Sequence, residues 1–242
     1  MIDDAAAARL PWPERYPEDV QAGLAPSPGI PSDDPLYAGV VRQLFGADVT
    51  RVAPYVAAKR IAAHVTDNFR LTLPATFGAL AGTIDGFVVG EPLAAARRGE
   101  GSPVDLVMAT VAVMRAAGIP ARPVFGVTAA ATKADQVRDR ETLVAWAECY
   151  IEGAGWVPFD PETLKSNTSW RNLPPERAWP GFGSWDDLDE RIPIAFDFIP
   201  GSPGESLRPA QRPALYGVRL EGGSPTVPAQ YVNISIRSLG RR

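Results

Sequence analysis

Cysteine and histidine are nearly absent from this chain. Its 242 residues include one of each, Cys149 and His64. A lone thiol excludes an internal disulfide and any zinc site assembled from several thiolates, so neither a metal nor a cofactor is expected. An excess of basic charge is missing too. Lys and Arg number 24 against 28 Asp and Glu, for a net charge of −4 and a pI near 5.2. Nucleic-acid binding needs a basic face, and this balance argues against one. No stretch approaches the ~18 consecutive apolar residues of a membrane span, so no membrane partner is expected. The opening residues, MIDDAAAARLPWPERY, lack the basic and apolar regions of a secretory signal. A cytoplasmic location is the expectation that follows. There is no internal repeat, and low complexity is confined to Gly/Pro-rich loops.

What remains is the composition of a globular protein, 45% hydrophobic and 21% charged. The length suits one well-buried domain with extensions, or two small ones. The most informative stretch is GEGSPVDLVMATVAVMRAAGIPAR, residues 99–122. Val104 to Ala117 is apolar on nearly every side, which marks a helix buried in the middle of a domain. Ser102 supplies an N-cap, Pro103 a preset first-turn φ, and Asp105 completes a capping box at the positive end of the helix dipole. Gly118 can close the helix in the left-handed region, and Pro120 prevents it from resuming.

Around that helix the chain divides into three. Residues 1–35, rich in Pro, Ala and acidic side chains, read as an extended arm anchored by Trp12 and Tyr16. Residues 36–165 form the core. A short helix spans Leu36–Phe45. A longer one follows Thr50, with an apolar stripe of Tyr55, Ala58, Ala62, Val65 and Phe69. Leu71–Gly90 is ambiguous. After Pro120 the period turns to alternation: a strand over Arg122–Thr128, a polar loop over Ala129–Glu141, and a hairpin of Leu143–Ile151 and Gly155–Phe159 ended by Asp160-Pro161. Residues 166–242 are a C-terminal extension. In it, Trp170, Trp179 and Trp185 anchor a long connection, Asp186, Asp187, Asp189 and Glu190 form a solvated charge run, and strands follow at Ile192–Ile199, Leu215–Leu220 and Tyr231–Ile236. Residues 200–213 and 222–229 read as loops. A buried helix on antiparallel strands is an α+β architecture.

Three segments in this order carry a resemblance: the helix end Arg115-Ala116-Ala117-Gly118-Ile119-Pro120-Ala121-Arg122, the strand Ala145-Trp146-Ala147-Glu148, and Gly155-Trp156-Val157-Pro158-Phe159-Asp160-Pro161. Together they resemble the transglutaminase-like superfamily, over roughly residues 35–165. The segment Arg191–Phe196 is similar to material beyond the core of bacterial members. The resemblance implies a papain-like fold and a triad: a cysteine opening the central helix, a histidine opening the AW strand, and an aspartate closing the GW strand. In such a site the helix dipole and an imidazolium favour thiolate, which attacks an acyl carbon, while the carboxylate orients the imidazole.

Carried over residue by residue, the aspartate survives as Asp160. The nucleophile position falls on Pro103, beside Ser102, and the histidine position on Val144. Cys149 lies five residues after Val144 on the same strand, so parity turns it to the opposite face, where it serves as a small buried hydrophobe. His64 sits on a different helix. Ser102 is a feeble nucleophile without a base, and the cap explains it. Asp160 also has a structural role open to it, as Asp-Pro turn chemistry. Glu148 shares a face with Val144 and Trp146, and a charged pair with Arg115 or Arg122 competes there with acid–base work.

The expectation is therefore a catalytically inactive transglutaminase-like domain serving as a binding or scaffold module. Its residual groove would be lined by Ser102, Val144, Trp146, Glu148 and Trp156 and would take a peptide or protein ligand. The alternative is an active amidase, peptidase or acyltransferase that uses Asp160 or Glu148 as a general base on water.

Overall fold

A helix whose start and stop are both encoded locally sets the frame on which the other elements pack. The computed structural model describes residues 2–73, 87–89, 91–128, 142–183, 191–197, 213–214 and 217–219. In chain order the helices are α1 (Asp4–Ala7), α2 (Pro35–Phe45), α3 (Pro54–Asn68), α4 (Pro92–Arg98), α5 (Pro103–Ala116) and α6 (Pro161–Ser166). The strands are β1 (Arg70–Leu71), β2 (Phe87–Val89), β3 (Glu100–Gly101), β4 (Ala121–Thr128), β5 (Thr142–Ile151), β6 (Gly155–Phe159), β7 (Arg191–Ala195), β8 (Pro213–Ala214) and β9 (Gly217–Arg219).

Helix α5 is buried on all sides from Pro103 to Arg115, with α2, α3, α4 and α6 packed around it and β4 and β5 against it. Its capping box is closed in both directions. Asp105 N–H donates to Ser102 Oγ at 3.1 Å, and Ser102 N–H donates to Asp105 Oδ2 at 2.9 Å. Gly101 has to be glycine because a Cβ there would lie 2.6 Å from that same Oδ2. Gly118 ends the helix at φ +82°. Ser102→Ala would take the acceptor from the buried Asp105 N–H while the Ser102 backbone N–H still reaches the Asp105 carboxylate, and is expected to cost about 1 kcal/mol. A lower urea midpoint at unchanged m-value is the reading to look for.

The main sheet has four antiparallel strands in the order β6-β5-β4-β7. Along β5, Leu143, Ala145, Ala147, Cys149 and Ile151 face the core around α5, whereas Val144 and Trp146 form a separate cluster with Val124 on the other face. This is the α+β arrangement of a buried helix on an antiparallel sheet. Two parallel pairings lie outside the main sheet, β1 with β3 and β2 with β9.

Several elements depart from the sequence reading, each for a local reason. Asp160-Pro161, read as the end of a hairpin, also starts α6, because an Asp N-cap followed by proline is helix-start chemistry as much as turn chemistry. Pro92 likewise starts α4, which Gly99 ends at φ +64°. Residues 2–34 hold α1 and a 3-10 segment at Glu18–Leu24 rather than extended chain alone. The strand expected over Ile192–Ile199 is β7, one residue earlier at its start and ending at Ala195. Of the Leu215–Leu220 strand, Gly217–Arg219 is described. Most of the ambiguous Leu71–Gly90 stretch, the 129–141 loop, Trp185 and the charge run, the 200–212 and 222–229 loops and the Tyr231–Ile236 strand lie outside the described residues.

Candidate functional site

Strand parity gathers most of the predicted site residues on one face of the sheet. Val144, Trp146 and Glu148 alternate along β5, Trp156 pairs opposite Tyr150 on β6, and Asp160 follows the last residue of β6. Ser102 and Pro103 do not join them. They begin α5 on the core side of the sheet, where Ser102 is fully buried and its hydroxyl is engaged within the capping box. The helix end that would stabilise a thiolate instead faces the carboxylate of Asp105. Ser102 therefore offers no groove wall in this structure.

Asp160 is held from four directions. Its Oδ1 accepts from the Glu162 N–H (2.9 Å) and the Thr163 N–H (3.2 Å). Its Oδ2 accepts from Thr163 Oγ1 (2.8 Å) and from Arg191 Nη2 (2.6 Å). The two backbone bonds cap α6, and the Arg191 pair ties β7 to the end of β6. With a side chain 5% exposed, the carboxylate keeps no free acceptor direction for an imidazole. Arg191, in turn, lies 5.9 Å from the centre of the Trp146 ring.

Glu148 pairs with Arg122 of β4, directly across the strand register, with both Arg122 Nε and Nη2 at 2.7 Å from Oε2. The guanidinium is sandwiched between the rings of Trp156 at 3.9 Å and Phe196 at 4.0 Å. Stacking of a partly desolvated cation of this kind contributes about 1–2 kcal/mol. Arg115 is not the partner of Glu148. It donates to the carbonyls of Ala121 and Ala25 and to Ser27 Oγ, fastening the N-terminal arm to the end of α5.

Cys149 faces the core, paired opposite Val157 and fully buried. Burial pushes its thiol well above the usual range, which suppresses thiolate and nucleophilicity alike. His64 sits on α3 with its Nδ1 3.4 Å from Asn68 Nδ2. Among the described residues no three His, Cys, Asp or Glu side chains converge as a metal set, and no helix is long and apolar enough to cross a membrane.

Sequence reasoning missed three participants. Thr163 and Arg191 complete the clasp on Asp160, and Gly126 lets the Trp146 indole lie flat on β4. A Cβ at Gly126 would sit 2.8 Å from two atoms of that ring. Thr163, three residues after Asp160, was open to discovery as an N-cap partner. Arg191, 31 residues away, left no local signal.

A profile of the transglutaminase-like superfamily matches residues 46–161. Among solved structures, a candidate cysteine protease from Cytophaga hutchinsonii is 18% identical, with a TM-score of 0.46 over 80% of this chain and 57% of that one. The periplasmic domain of TgpA from Pseudomonas aeruginosa is 20% identical, with a TM-score of 0.42 over 69% of this chain and 54% of that one. The chain thus spans little more than half the length of either. No curated protein matches it.

Proposed function

We propose that the transglutaminase-like domain matched over residues 46–161 has given up catalysis and is kept as a binding module. Its ligand surface is the sheet face on which Val144 and Trp156 are partly exposed over the buried Trp146 and Glu148, and its ligand is a peptide or protein segment. One observation carries the reading: all four acceptor directions of Asp160 are filled, the last by Arg191. A triad aspartate works by presenting an oxygen to an imidazole. Here that place is taken by a guanidinium, which never gives up its proton in the working range of proteins and so serves neither as base nor as acid. Proline at the nucleophile position and valine at the base position agree with this reading, as does the Asp105 carboxylate at the helix start.

The competing reading, hydrolysis with Asp160 or Glu148 as base, draws less support. Asp160 would have to give up one of its four donors before it accepted a proton from water, and the Arg122 guanidinium beside Glu148 favours its charged form. Incubation with peptide amides and a primary amine separates the two. Ammonia release should stay at the buffer background over hours, and Asp160→Asn should change nothing in that assay. Turnover by the wild type that disappears in Asp160→Asn would overturn the proposal.

A further inference from the structure

Away from the sheet face, the core contains a lysine that packing alone does not call for. Lys59 of α3 is 0% exposed. Its ammonium lies 4.7 Å from the centre of the Tyr55 ring, 5.1 Å from that of Trp179 and 5.5 Å from that of Phe182. It donates to the Arg177 carbonyl at 2.8 Å and to the carboxylate of Asp4. The Tyr55 hydroxyl donates to the same carboxylate oxygen at 2.5 Å. An apolar side chain of similar volume would serve stability at least as well here, because burying an ion pair costs much of what its attraction returns. Among the described residues the Lys59 charge is ion-paired with one carboxylate, that of Asp4, brought from a distant part of the chain.

The wall and the filling come from different parts of the chain. Tyr55, Lys59, Arg177, Trp179 and Phe182 belong to α3 and to the segment that wraps back onto it. Asp4 belongs to the four-residue α1, which precedes the family domain and is joined to it through Pro11, Pro13 and Pro17. Within helix α1 Ala7 is the one buried residue, while Ile2, Ala8, Leu10 and Trp12 on either side of it pack partly buried against the core. The Asp4 side chain is 13% exposed, so the carboxylate stands at the mouth of the socket and the ammonium at its floor. A socket with an aromatic wall, a cation at its base and two aligned donors is built for a carboxylate on a peptide.

We propose that the socket of Tyr55, Lys59, Trp179 and Phe182 is a receptor for a carboxylate-bearing peptide segment, filled in this structure by the chain's own N-terminal strap through Asp4. An acidic segment from a second molecule competes for the same place by making the same two hydrogen bonds. The site is independent of the lost catalytic centre, so failure of one proposal leaves the other standing.

The test uses the full-length chain and a fluorescent peptide of residues 2–12, IDDAAAARLPW, followed by anisotropy. Wild-type protein should bind it weakly, because the strap in cis outcompetes it. Asp4→Ala protein, checked as folded by circular dichroism, should bind it at least ten-fold more tightly, and a peptide carrying the same Asp4→Ala change should lose that gain. Lys59→Met introduced into the Asp4→Ala protein should abolish binding. Amide exchange at Ala7 and Ala8 should quicken at least ten-fold in Asp4→Ala. The proposal is overturned if the Asp4→Ala protein binds no better than wild type, if Lys59→Met leaves binding intact, or if exchange in the strap is unchanged.

Discussion

Gly126→Ala is expected to cost about 3 kcal/mol or more and to detach the edge of the sheet. A Cβ at this position would sit 2.8 Å from two atoms of the Trp146 ring, and closer still to the Ile192 carbonyl oxygen of β7. A flexible side-chain tip would yield cheaply, but a strand's backbone carbonyl and a buried indole do not. Overpacking typically costs about 1–3 kcal/mol, with more where backbone must move. Displacing β7 would also pull Arg191 from Asp160, since the strand pairing that carries one carries the other. Urea unfolding gives the size of the loss, and the emission of Trp146 should move toward that of a solvated indole. Gly39→Ala is the control. Gly39 lies in α2 with nothing within 4 Å of a built Cβ, so alanine there should add up to about 1 kcal/mol of stability. A Gly126→Ala protein as stable as the wild type would mean that the indole does not lie where the structure puts it.

The clasp and the socket share one physical feature: each closes over a long sequence separation. Arg191 reaches Asp160 across 31 residues, and Lys59 reaches Asp4 across 55. That is why neither was legible in the sequence, whereas α5 was. Ser102, Pro103, Asp105 and Gly118 act within a turn of the residues they cap or stop, so their chemistry is written locally. The β5–β6 hairpin was legible for the same reason, through alternation and a short glycine-containing turn. Asp160-Pro161 was only half legible, because the same pair ends a strand and starts a helix. Lys59 left a faint trace. It falls four residues after Tyr55, inside the arc of the α3 stripe, and a charge there calls for a buried partner. What the sequence does not disclose is which residue supplies that partner. The same limit applies to Gly126, whose requirement depends on where a cross-strand indole comes to rest.

Stability should fall between pH 9 and 11, most steeply past pH 10. Among the described residues, burial raises five acids that titrate in the alkaline range: Tyr16, Tyr37, Tyr55, Tyr150 and Cys149. Tyr16 and Tyr37 are each pushed up to about 12, while Tyr55 and the Cys149 thiol are driven higher by burial, with Asp4 beside Tyr55 and Glu148 beside Cys149 adding to the shift. An acid held protonated by the fold keeps its full stabilising contribution below its unfolded pKa and loses it as pH rises toward the folded value. The decline therefore begins near the ordinary thiol value of 9.0 and steepens past the tyrosine value of 10.0. By pH 11, the buried Tyr37 would have given up on the order of 1.4 kcal/mol, and the half-buried Tyr16, screened by solvent, less. Lys59 works in the opposite direction. Burial depresses its pKa, so the cost of charging it in the core fades as pH rises toward 10.5. One rising contribution, from Lys59, against the falling ones of the thiol and the tyrosines leaves a net loss. Urea midpoints at pH 8, 9.5 and 11 measure it, and Cys149→Ala should flatten the portion between pH 9 and 10. A midpoint that holds steady or climbs through pH 11 would mean that these phenols and the thiol reach water in the folded protein.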